Sequence, residues 1–93
     1  MAKREAPLKA RTWHLYVLAC GDGTLYTGIS LDVEARLVEH REGRGARYTR
    51  GRGPLKLVHQ EEVGSRSQAL RAELRFKALS RVRKLAWMAG RKG

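Results

Sequence analysis

The longest unbroken apolar run lies near the start of the chain, and its neighbours alternate between strand-like and helix-like spacing. Trp13 to Cys20 reads WHLYVLAC, rich in residues that fit a pleated surface, and Tyr26 to Ile29 continues in the same manner. Between them Gly21-Asp22-Gly23 is a turn signal, so the two segments predict a β-hairpin. A three-residue loop places Cys20 opposite Thr24 and Tyr16 opposite Gly28. Because side chains alternate along a strand, Tyr16 and Tyr26 then face the same way. A two-residue turn would put them on opposite faces unless a bulge restored the phase.

Beyond the hairpin the period changes. Asp32 is placed to cap a helix running to about Glu42, with Val33, Leu37 and Arg41 along one stripe and Arg36 and His40 along the adjacent one. Gly43 ends it. Leu55 to Glu62 (LKLVHQEE) predicts a third strand. Ser65 with Gln68 three residues on has the form of a capping box, opening a helix to about Leu79, and Ser80 can cap a last helix through Trp87 and Met88. The order ββαβαα predicts an α+β domain: a small three-stranded antiparallel sheet flanked by three helices. Residues 1–11, with four cations, one acid and a proline, read as a flexible basic arm, 12–89 as the folded domain, and 90–93 as a flexible tail.

Composition adds a partner to this outline. The chain has 93 residues, 42% of them hydrophobic, enough for one modest core. Twenty Lys and Arg against nine Asp and Glu give a formal net charge of +11. An excess of this size repels itself in the compact state and fits a polyanionic partner. Fourteen of the cations are Arg, whose planar guanidinium meets phosphate bidentately, although codon bias also enriches Arg. The segment Gly43 to Gly53 carries Arg44, Arg47, Arg50 and Arg52 with no acid, interleaved with glycines that permit close backbone approach to phosphate. It reads as a nucleic-acid clamp or, more blandly, a solvated charged loop. Arg81, Arg83 and Lys84 on the last helix extend the candidate surface. Cys20 has no partner for an internal disulfide and reads as a small buried hydrophobe. Residues 1–11 lack the apolar stretch of a signal peptide, and the run Leu15 to Cys20 is too short to span a bilayer, so a cytoplasmic location is expected.

Chemistry could come from a scattered set. Tyr16, Tyr26 and Tyr48 are the only tyrosines. Arg36 and His40 are one helical turn apart and share a face, whether of a site or of a solvated surface. Glu73 falls between Leu70 and Leu74, at the edge of an apolar stripe, where a carboxylate needs either a salt-bridging cation or a metal.

In their order and spacing these residues resemble the GIY-YIG nuclease family. The first half of its signature is matched by His14-Leu15-Tyr16 and the second by Tyr26-Thr27-Gly28, followed by Arg36, His40 and Glu73. The stretches LYTGISLDVEARLVEH and GARYTRGRGPLKLV look especially like the small stand-alone members, which are similar to the N-terminal nuclease domain of the repair protein UvrC. The resemblance covers about residues 13–88. Three departures stand out: His14 and Leu15 replace Gly and Ile, Ile29 occupies a position where many members carry Lys, and the chain has no Asn.

The resemblance implies a metal-dependent endonuclease that hydrolyses phosphodiester bonds in DNA, with a place in repair or recombination. Glu73 would hold one Mg²⁺ or Mn²⁺, Tyr16 or Tyr26 would activate or orient water, and Arg36 would stabilise charge on the phosphate. His40 would shuttle a proton or bind a phosphate oxygen, and Tyr48 would contact the backbone or complete the site. Two other expectations stay open: a catalytically weak nucleic-acid-binding module of the same fold, and, on charge and size alone, a small RNA- or ribosome-associated protein.

Overall fold

A computed structural model describes residues 12–90. Three antiparallel strands, β1 (Trp13–Ala19), β2 (Leu25–Ser30) and β3 (Lys56–Gly64), form one open sheet in the order β2-β1-β3. Helix α1 (Val33–Arg41) follows β2, and α2 (Arg66–Lys77) and α3 (Arg81–Gly90) follow β3. The predicted order ββαβαα holds. The basic arm expected over 1–11 and all but the first residue of the 90–93 tail lie outside the described residues, and Gly90 itself closes α3.

The hairpin has the three-residue loop. Ala19 pairs with Leu25 and Tyr16 with Gly28, and the Cys20 N–H donates to the Thr24 carbonyl at 2.8 Å. Gly23 takes a positive φ of 87°, where a side chain would be strained. Asp22 tightens the turn by accepting from the Thr24 N–H at 3.1 Å. Cys20 is buried, as a small hydrophobe should be.

Each helix starts where its cap is. The Asp32 carboxylate accepts from the Ala35 N–H at 3.1 Å, and the Ser65 hydroxyl and Gln68 side chain complete a capping box. The Ser80 hydroxyl accepts from the Arg83 N–H at 3.2 Å. Three boundaries differ by two residues from the sequence reading, one being the end of α3, which runs past Met88 to Gly90. Helix α2 stops at Lys77, short of Leu79. Strand β3 runs on to Gly64, because extra residues at Val58 and Val63 shift its register twice against β1, letting Gly64 pair with Trp13.

The sheet is the middle of three layers. Leu15 and Val17 point to one face and pack with Phe76, Met88 and Trp87 of α2 and α3. Tyr16 and Leu18 point to the other, where Val33 and Leu37 of α1 cover them together with Cys20 and Leu55. The buried side of α2 is Ala69 and Phe76, with Ala72 and Glu73 half-buried beside them, whereas Leu70 and Leu74 are exposed. Glu73 therefore belongs to a different stripe from the one its neighbours Leu70 and Leu74 suggest. Ile29 packs, partly buried, into the α2/α3 layer.

Candidate active site

The site grows from the hairpin register. With Tyr16 opposite Gly28, the phenol lies across the neighbouring strand in space that only glycine leaves open: a Cβ on Gly28 would sit 2.6 Å from the Tyr16 hydroxyl. Tyr26 is on the same face, its ring centroid 6.4 Å from that of Tyr16. Helix α1 then brings His40 down between them. Tyr16 is 1% exposed and His40 2%, and the Tyr16 hydroxyl is hydrogen-bonded to His40 Nε2 at 2.7 Å. The His40 ring meets Tyr26 edge-on at 5.1 Å, and Tyr48 packs on Tyr26 at 5.8 Å with 41% of its surface exposed. His40 is thus a core residue of the site rather than part of a solvated helix surface.

Arg36, one turn before His40, donates to Glu39 Oε1 at 2.8 Å and also acts on the Tyr16 hydroxyl. Glu39 holds the Arg36 guanidinium above its ordinary range. Burial, reinforced by Tyr26, pushes the Tyr16 phenol up to about 12, against the pull of Arg36. Burial also pushes the His40 imidazole down, and the Arg36 charge adds to this. At neutral pH the pair is a protonated phenol hydrogen-bonded to a neutral imidazole.

Glu73 comes from a different element. Helix α2 covers the face of the sheet opposite α1, and the Glu73 side chain is 17% exposed and paired with Lys77 Nζ at 3.2 Å. Its charge is nonetheless felt at Tyr16. Among the described residues no three His, Cys, Asp or Glu gather as a metal cage. The donor set fits a hard divalent ion anchored by one partly desolvated carboxylate, with water and phosphate oxygens supplying the other ligands.

The arginine-rich segment is more ordered than its composition suggests. Arg47–Thr49 forms a 3₁₀ turn, the Gly21 N–H donates to the Arg52 carbonyl, and Arg50 Nε donates to the Gly43 carbonyl at 3.1 Å. Arg52 lies over the Tyr48 ring at 4.2 Å and pairs with Asp22, and Arg44 pairs with Glu42. The loop contains no acid, but acids from the hairpin turn and the end of α1 reach two of its four arginines. Arg81 of α3 donates to the Gly23 carbonyl at 2.8 Å, at the same turn. Arg83 is exposed on α3, and Lys84 lies 5.8 Å over Phe76 on the α2/α3 side.

The structure therefore gathers Tyr16, Tyr26, Arg36, His40 and Tyr48, whereas Glu73 comes from α2, which packs on the other face of the sheet. It adds residues that sequence reasoning passed over. Thr49, 2% exposed, has its hydroxyl 3.0 Å from His40 Nδ1. A Cβ on Gly45 would lie 2.3 Å from the same nitrogen, so the loop closes directly on the ring. Only the adjacency of Thr49 to Tyr48 hinted at this, and the surrounding Gly and Arg masked it.

Known proteins resemble this chain over most of its length. The GIY-YIG catalytic domain matches residues 12–86, which makes this a nuclease fold. A UPF0213 protein of Halobacterium salinarum is 53% identical over 73 residues, covering 78% of this chain and 95% of its own. One from Streptococcus sanguinis is 51% identical over 78 residues, covering 84% and 90%. The solution structure of a UPF0213 protein from Bacillus halodurans is 41% identical with a TM-score of 0.58, covering 88% of this chain and 87% of that one. With nearly the whole folded domain matched in sequence and the tyrosines of its signature brought together on one face, this chain belongs to the GIY-YIG family.

Proposed function

We propose that the protein is a metal-dependent endonuclease that hydrolyses phosphodiester bonds in DNA with little sequence preference. The observation that carries this reading is the buried 2.7 Å hydrogen bond between the Tyr16 hydroxyl and His40 Nε2, beside the Arg36 guanidinium. A binding surface has no need of a buried phenol–imidazole pair.

A phenol with its pKa near 12 is not a base by itself at neutral pH. It can pass a proton on. In the step proposed here, attacking water gives its proton to Tyr16 Oη while the Oη proton moves to His40 Nε2. The net change is hydroxide adding to phosphorus as the bond from phosphorus to the leaving sugar oxygen breaks, with that alkoxide taking a proton from solvent and an imidazolium forming at His40. Tyr26 walls the imidazole and Tyr48 packs in turn on Tyr26. Arg36, already oriented by Glu39, faces charge growing on the phosphate oxygens. Glu73 would hold Mg²⁺ or Mn²⁺, which supplies Lewis-acid neutralisation of the phosphate when bound. Arg44, Arg47, Arg50 and Arg52, with Arg81 at the hairpin turn and Arg83 and Lys84 on α3, would hold the sugar–phosphate backbone.

The test is cleavage of labelled duplex, branched and single-stranded DNA in Mg²⁺ or Mn²⁺. Wild type should cut at least one of these. Glu73→Ala should abolish cleavage while DNA still binds. The Glu73–Lys77 ion pair favours a second reading, in which the carboxylate serves the helix and the domain only binds nucleic acid. Equal inertness of wild type and Glu73→Ala across all substrates and both metals would establish that one.

A further inference from the structure

We infer that Thr49 is a positioning residue that fixes the tautomer of His40, holding the ring proton on Nδ1 so that Nε2 stays open to the Tyr16 phenol. The inference rests on the nuclease reading for its catalytic consequence, though not for its structural content. Thr49 Oγ1 is 3.0 Å from His40 Nδ1 and 3.0 Å from the Ala46 carbonyl oxygen. A carbonyl only accepts, so the single hydroxyl proton of Thr49 goes to Ala46. Toward the ring, Oγ1 is then left only lone pairs, and Nδ1 must be the donor. A neutral imidazole has one N–H, so Nε2 carries the lone pair and accepts from the Tyr16 hydroxyl.

One group competes. The Ala46 N–H lies 3.3 Å from Nδ1 and would make it an acceptor. That contact is the longer of the two, 3.3 Å against 3.0 Å. Remove the Thr49 oxygen and the Ala46 N–H becomes the remaining partner of Nδ1. The ring proton then moves to Nε2, which donates to the phenol oxygen and cannot take its proton. Thr49 is the last residue of the 3₁₀ turn within the arginine-rich loop. The segment proposed to hold phosphate therefore also sets the protonation pattern of the base.

Long-range ¹H–¹⁵N correlation spectra of the full chain distinguish the two tautomers, and should be recorded for wild type, Thr49→Val and Thr49→Ser. Wild type and Thr49→Ser are expected to carry the proton on Nδ1, and Thr49→Val on Nε2. In cleavage assays Thr49→Val should lose about 10²-fold in kcat with DNA affinity within about twofold of wild type, and Thr49→Ser should recover most of the rate. An Nε2–H tautomer in wild type overturns the inference even if Thr49→Val fails to fold, as does a folded Thr49→Val that keeps Nδ1–H. If no variant cuts DNA, the nuclease reading falls, and the spectra still decide the role of Thr49.

Discussion

Two residues with little chemistry of their own, Gly28 and Thr49, determine where the reactive groups of this site can be. A methyl on Gly28 would stand 2.6 Å from the Tyr16 hydroxyl, and that hydroxyl is fixed by His40 on its other side. Gly28→Ala should therefore displace the phenol and cost about 1–3 kcal/mol in urea unfolding, the usual penalty of overpacking. Cleavage should fall further than stability accounts for. His40 gives a pH dependence whose sign is fixed. Its folded-state pKa lies below the ordinary 6.5, so the unfolded chain binds the proton first as pH falls. Its contribution to stability is complete above pH 6.5 and is lost as pH drops through the lowered folded value. The melting temperature should be flat above neutrality and decline below pH 6.5, and His40→Asn should flatten that decline. Cleavage should share this acidic limb, because a protonated imidazole cannot accept from Tyr16.

At the scale of elements, caps and turns carry the placement. Ser65→Ala removes a hydroxyl that accepts from the Gln68 N–H and should destabilise the protein by about 1 kcal/mol, read as a lower urea midpoint at unchanged slope. Because α2 also carries Glu73, metal-dependent cleavage should weaken with it. These elements could be read from the sequence because their signals are local. The Gly21-Asp22-Gly23 loop fixes the hairpin phase, and the Asp32, Ser65 and Ser80 caps fix three helix starts. What could not be read depends on contacts distant in sequence. The bulges at Val58 and Val63 follow from pairing with β1 and have no signature of their own. The Leu70 and Leu74 stripe looks like core but is exposed, since the small Ala69 and Ala72 let α2 lie close to the sheet on another side. Part of the order of the arginine loop comes from Gly21, Asp22 and His40, none of which is within it.

At the scale of the molecule, charge governs association. The net charge of +11 predicts DNA affinity that falls steeply with salt. In a fluorescence-anisotropy titration, about six neutralised phosphates would reduce affinity roughly 10³-fold between 50 and 200 mM salt. The double variant Arg47→Ala/Arg50→Ala should weaken binding to all sequences alike and lower the log–log slope by about 1.8. Strand β1 has a different kind of consequence. It is bonded on both edges and covered on both faces, with Leu15, Tyr16, Val17 and Leu18 all buried in succession. Its amides should be among the last to take up deuterium, exchanging only when the whole chain opens. The Tyr16 phenol is thereby mounted on the least yielding segment of the fold, so fraying at the ends of the helices can loosen its neighbours while its own backbone holds still.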